Sequence, residues 1–220
     1  MTAPLMTPED VTAHFTRANG DFTFARWGRP IVPVVFGVED ATLEVVKGAV
    51  EAVVMLAGHK MAETDPELGA NLMVFFFRDW DELLDVPKLD EMIPGLVSLV
   101  ARLKAESATQ YRAFRFDDDN AIQACFTFVC MQGAMAEQPA DTIALTQAVQ
   151  AVLVWGDGAF STNSPLALLP DGQTILRPEI AGLIGASYDP VLPAAANDPA
   201  HALRLFARMQ VQAAQDQTQH

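Results

Sequence analysis

"QYRAFRFDDDNAIQACFTFVCM", residues 110–131, reads as two strands joined by a polar turn. Apolar residues recur in the first arm at Tyr111, Ala113 and Phe114, an imperfect alternation. The turn is Asp118, Asp119 and Asn120, residue types whose side chains bond their own backbone and tolerate tight bends. The second arm is longer and holds both cysteines of the chain, Cys125 and Cys130. Side chains alternate along a strand, so these thiols face opposite sides of the sheet, roughly 16 Å apart at ~3.3 Å per residue. A disulfide cannot span that distance, and two buried thiols are expected. The acidic run Asp117–Asp119 also invites a calcium reading. A calcium loop would close on a glutamate, where this chain has Phe128.

Working outward, "ANLMVFFF" (70–77) has the unbroken apolar character of a strand buried on both faces. "RPIVPVVFG" (29–37) is a second strand, and its prolines place it at an edge, because proline has no ladder donor. Between them, Leu43, Val46, Val50, Val53, Val54 and Ala57 recur at three-and-four spacing, predicting a helix from an Asp40 cap to a Gly58 stop. Leu96, Leu99, Val100 and Leu103 predict another helix after a stretch of turn residues. "DTIALTQAVQAVLVWGDG" (141–158) reads as a buried helix capped near Asp141 and stopped at Gly156-Asp157-Gly158. A loop-rich tail follows, with helices expected over 178–187 and after Asp198. Residues 1–20 read as a lead-in with a helical turn at "TPED", and 212–220 as a frayed end. This order implies one α+β domain over 1–220: a mixed, mainly antiparallel sheet of four to five strands with helices over one face.

Half the residues are hydrophobic and 19% are charged, a globular composition. With 14 basic and 28 acidic residues the net charge is −14, which disfavours nucleic acid and anionic membrane surfaces. No apolar run reaches the roughly 18 residues of a spanning helix. "MTAPLMTPEDVTAHF" has no basic start and no long apolar core, so a cytoplasmic protein is expected, with export and removal of a leader as the alternative. His14, His59, His201 and His220 are scattered, and no Cys/His zinc spacing occurs.

The run "ALTQAV", then "WGD", "SPLALL" and "YDPVLPA", resembles an uncharacterised bacterial zincin-like family with an E-E-L-T-Q-A-L-type helix and a late Y-D-P-x-L-x-P. The matching residues are Leu145, Thr146, Gln147 and Ala148, then Asp157 and Ser164, then Tyr188, Asp189, Pro190, Leu192 and Pro193. They cover roughly the last third of the chain; the rest agrees only in element order. The resemblance implies a zincin-like order of elements, in which the second long helix would carry H-E-x-x-H. Here Thr146-Gln147-Ala148-Val149-Gln150 stands in that place, and Ile143 and Ala144 replace the paired glutamates.

An amide has no useful pKa and is a poor zinc ligand, so this helix offers neither general base nor metal ligand. The reading that follows is a non-catalytic binding or scaffold protein on a degenerate metallopeptidase fold, without metal or cofactor. The ligand is an unknown small molecule or protein, approached by Gln147, Gln150, Asp157 and Tyr188. The alternative is a hydrolase using carboxylates or an atypical metal site, which requires two or more of Glu63, Glu67, Asp79, Asp157, Asp189 and His201 to converge in a pocket. Ser161 or Ser164 with His201 could form a nucleophilic pair, although no G-x-S-x-G elbow is present. Arg26, Trp27 and Arg29 form the one locally positive spot near the start, with Trp27 expected over the sheet edge. A homo-oligomer is compatible with the apolar fraction.

Overall fold

The computed structural model describes residues 6–218; the first five residues and the last two, His220 among them, lie outside the described residues. The chain opens with α1 (Pro8–His14), followed by the short β1 (Phe24–Ala25) and by β2 (Pro33–Phe36). Next come α2 (Asp40–Leu56), β3 (Leu72–Phe77), α3 (Leu89–Met92) and α4 (Leu96–Ala105). The hairpin is β4 (Gln110–Phe116) and β5 (Ile122–Cys130), and α5 (Ala140–Val152) follows it. The remainder holds β6 (Leu166–Leu168), β7 (Thr174–Leu176), α6 (Pro178–Ser187), β8 (Ala195–Ala196) and α7 (Ala200–Thr218).

The central sheet has four strands in the order β2-β3-β5-β4. β2 pairs with β3 and β3 with β5 in parallel; only β4 runs antiparallel, with Gln110 opposite Val129 and Arg115 opposite Ala124. The fold is α+β with helices on a mixed sheet, but the expectation of a mainly antiparallel sheet is corrected. A strand separated from its neighbour by a long helix enters the sheet parallel, and the 17 residues of α2 supply such a crossover.

The expectation of helices over one face is corrected as well. On one face Leu72, Val74 and Phe76 of β3, with Cys125 and Val129 of β5, pack against α2 and α5. On the other, Phe75, Phe77, Phe126, Phe128 and Cys130 pack against Trp80, Leu89, Leu96, Val100 and Leu103. The unbroken apolar run of β3 requires two covered faces, and the 80–105 segment covers the second. Cys125 and Cys130 are free, buried and in different clusters.

Thr7 and Asp10 close a capping box on α1, and Val11 and Phe15 are wholly buried. The lead-in is therefore part of the core. α2 starts from Glu39 rather than Asp40, and it stops where Gly58 takes a positive φ of 64°, a conformation that suits glycine. α5 ends at Val152 rather than at Gly156. Beyond it the chain is extended, with the Val154 amide donating to the Ala25 carbonyl at 2.9 Å. α7 continues through the expected frayed region as far as Thr218.

Candidate functional site

The site forms where α5 and the segment behind it meet β4. α5 buries Ile143, Ala144, Ala148, Val149, Ala151 and Val152, and Gln147 is carried inside with them, 3% exposed. A buried amide needs partners. Its Nε2 donates to Gln110 Oε1 at 3.0 Å, and its Oε1 accepts from Arg112 Nη2. Arg112 Nη2 also donates to Gln110 Oε1 at 3.1 Å. Gln110 and Arg112 are alternate residues of β4, so both side chains point toward α5.

Among the described residues no carboxylate pairs with Arg112, and its Nε is buried without a hydrogen-bond partner. Burial pushes its pKa down to about 10, which leaves the guanidinium cationic at neutral pH. The residue paired opposite it is Thr127, and Cys125 sits two residues away on β5. Burial raises the Cys125 thiol to about 11, so it stays a neutral thiol.

Above this trio lies a cleft of about 750 Å³. One wall is β4, every residue of which from Gln110 to Phe116 contributes. Gln150, one helical turn beyond Gln147, forms part of the floor, and Trp155, Asp157 and Phe160 form the opposite wall. Trp155 is fixed by an indole N–H donated to the Val149 carbonyl at 2.9 Å and by stacking on Phe15 at 5.5 Å. Gly156 lets this wall approach α1: a Cβ there would lie 2.3 Å from the Thr16 carbonyl oxygen. That approach sets Asp157 to accept from the Ala18 amide at 2.8 Å and to pair with Arg17 at 3.1 Å. The Ala18 hydrogen bond first, and Arg17 with it, hold the Asp157 carboxyl below its ordinary range.

Gln147, Gln150 and Asp157 thus gather about one cleft, with Gln147 just beneath its surface. Tyr188 does not join them. Its hydroxyl donates to the Val152 carbonyl at 2.7 Å, the Trp27 amide reaches it at 3.4 Å, and its ring lies under Arg26. Burial drives the phenol pKa upward. Trp27 is wholly buried and donates to the Ala151 carbonyl at 2.9 Å, so it packs inside rather than over the sheet edge.

The groups required by a hydrolase are dispersed. Glu67 pairs with Arg29 at 3.0 Å, Asp79 caps the 3-10 turn at Trp80–Asp85, and Asp189 pairs with Arg208 at 3.3 Å. Glu63 is exposed on a separate surface beside α2. His201 is buried against Phe24, with ring centroids 4.4 Å apart and neither nitrogen hydrogen-bonded. Ser161 Oγ donates to the Gly158 carbonyl, and Ser164 Oγ accepts the Leu166 amide. Asp117 accepts from the Asp119 and Ala121 amides within its own turn. Among the described residues no three His, Cys, Asp or Glu side chains are arranged to hold a metal ion.

Arg17, Gln110, Arg112 and Arg115 were not singled out from the sequence. A signal was present: two arginines within four positions of a strand, in a chain with only 14 basic residues. A comparison with protein-family models, curated proteins and solved structures finds no match.

Proposed function

We propose that this is a non-catalytic binding protein whose ligand is anionic and lies in the cleft between β4 and residues 155–161. One observation carries the reading. In a chain of net charge −14, the cleft is lined by Arg17, Arg112 and Arg115 against a single carboxylate, Asp157. The Arg112 guanidinium is buried beside the recess, Arg17 is paired with Asp157, and Arg115 is exposed and donates to the Met92 carbonyl; guanidinium groups favour carboxylate or phosphate, because their forked donors match the oxygens of either. Trp155 and Phe160 give the recess an apolar side, as ligand sites commonly have. Gln150 supplies an amide and no proton transfer.

A zincin-like plan is part of the same proposal: β2, α2 and β3 are followed by α3 and α4, then by the hairpin and α5, and α5 carries amides where the resemblance would place metal ligands. A cytoplasmic setting belongs to the same proposal; among the described residues no helix is long and apolar enough to cross a membrane. The charge balance speaks against nucleic acid as the ligand.

Titration of the ¹⁵N-labelled protein with citrate, tripolyphosphate and a glutamate octapeptide tests the reading, with a lysine octapeptide as control. Saturable shifts at Arg17, Arg112, Arg115 and Gln150, weakened at least tenfold by Arg115→Gln, are expected. Absence of saturable shifts with every anion overturns it. Cleavage of the glutamate octapeptide would overturn the non-catalytic half.

A further inference from the structure

Resting on that reading, we infer that the ligand is an extended, acid-bearing polypeptide segment that adds to β4 as a fifth strand of the sheet. β4 is the terminal strand of the order β2-β3-β5-β4. In an antiparallel pair, alternate residues bond the neighbour and the rest face away. The Cys130 amide donates to the Thr109 carbonyl at 2.8 Å, which fixes the phase of the ladder. Tyr111, Ala113 and Arg115 therefore face β5, while the N–H and C=O groups of Gln110, Arg112 and Phe114 face the cleft. No backbone partner for these three appears among the described residues. A cleft above one face of a strand would meet every second residue; this one meets all seven from Gln110 to Phe116, as a cleft along the edge must.

The two edges of the sheet differ. β2 is four residues long, begins at Pro33 and ends against Gly37, features that blunt an edge. β4 has seven residues, no proline and no irregularity before the Arg115/Phe116 step. Exposed ladder donors and acceptors of this kind are completed by strand addition, in which the main chain gives affinity and alternate side chains give specificity. Charge selects the occupant. Side chains of an added strand that point toward α5 meet Arg112 and Arg17, and those on the opposite face meet Arg115, so acidic residues suit both faces. A second copy pairing through its own β4 would set arginine against arginine.

The test uses the intact chain and a capped peptide of alternating glutamate and valine, about seven residues long to match β4. Two further versions carry N-methyl groups on one or the other alternate set of amides. Slowed hydrogen exchange at Gln110, Arg112 and Phe114, with at least tenfold weaker binding for one methylated version only, is the expected result. Equal binding of both methylated versions, or binding without slowed exchange, overturns strand addition. Binding of citrate without binding of the peptide overturns this inference and leaves the anion-binding reading standing; binding of neither removes both. Protection of the same three amides in a peptide-free dimer would make a second copy the occupant and overturn it too.

Discussion

Arg29 and Arg112 are both drawn off the surface, and their surroundings have opposite character. Arg29 meets carboxylates: Glu67 at 3.0 Å and Asp65 at 3.5 Å. Asp65 is 5% exposed and accepts the Glu67 and Leu68 amides at 2.9 and 2.8 Å. It also accepts from Asn71 Nδ2, which reaches the Pro30 carbonyl as well, while Asn71 Oδ1 accepts the Val32 amide. This network closes on itself and ties the start of β2 to the start of β3. Arg112 meets only the two amide oxygens of Gln110 and Gln147 and keeps a buried Nε without a partner. A buried cation with neutral partners and a spare donor beside a cleft is incomplete in a way that an anion would correct. The contrast separates a closed polar network that holds the fold from one with an unpartnered donor, on which the proposed anion site rests.

The largest expected effect lies in the closed network. Asn71→Ala leaves the Val32 amide and the Pro30 carbonyl without their partner in a dry site and takes one of two donors from Asp65 Oδ2, which keeps Arg29 at 3.5 Å. A loss of about 4 kcal/mol is expected, since each buried unsatisfied group costs about 1–3 kcal/mol. Urea denaturation should show a lower midpoint at unchanged slope. Citrate shifts in the cleft should survive. A loss below about 1 kcal/mol would erase the distinction between the two sites.

Acid probes the molecule elsewhere. His201 is buried against Phe24, and burial first, with the Arg204 charge beside it, lowers its pKa to about 4. The unfolded chain takes up this proton near 6.5, so between pH 6.5 and about 4 the unfolded state binds more protons and stability falls as pH falls. The loss should approach about 3 kcal/mol at pH 4. His201→Phe should flatten this slope in melts taken across the window. Burial works against the Asp65 carboxylate, but the Leu68, Glu67 and Asn71 hydrogen bonds and Arg29 outweigh it. Its pKa lies below 3.8, so its stabilisation is present above that value and is lost as pH falls below it. A slope that persisted in His201→Phe would show that a group other than His201 carries it.

Gln147→Ala should cost about 1–2 kcal/mol, because it strips Gln110 and Arg112 of a buried partner. Gln147 was named from the sequence as a residue that approaches a ligand; at 3% exposure its loss should be felt in folding, and a thermal melt of the variant decides it. A change within about 0.5 kcal/mol would detach α5 from the arginine site.

What was legible in the sequence follows physical periodicity. The valines of α2, the unbroken run of β3 and the turn at Asn120 report burial and backbone conformation directly, so those elements lie where expected. Strand direction was not legible, because β5 looks the same whether it pairs with β3 in parallel or antiparallel; the crossover through α2 argues only for the parallel pairing of β2 with β3. The second helical layer was legible in principle from β3, whose two apolar faces both need cover. Of the residues named from the sequence, Gln147, Gln150 and Asp157 lie about one cleft, reached through the helix and its turn. Arg112 was not, because its meaning depends on what is missing around it. A sequence shows that an arginine is present on a strand; it does not show that no carboxylate lies within reach. Tyr188 was misplaced for the same reason, since its hydroxyl is consumed by the Val152 carbonyl, a partner 36 residues away.

The smallest effect on stability is expected at the open site itself, which makes it the sharpest test of the contrast. Arg112→Met removes a buried cation and fills much the same volume with apolar atoms. Gln147 and Gln110 keep the hydrogen bond they make to each other. Desolvating a guanidinium without a carboxylate is unfavourable, so its removal gives back about as much as the lost hydrogen bonds contributed, and apolar replacement of buried charge is often neutral. Stability should therefore move by less than about 1 kcal/mol in either direction, while citrate binding falls at least tenfold. Arg29→Met in the same assay should lose about 1–2 kcal/mol, because it leaves the nearly buried Asp65 without its cation. If Arg112→Met were the more damaging of the two, the Arg112 trio would be a structural cross-brace between β4 and α5, and its unpartnered Nε would carry no functional meaning.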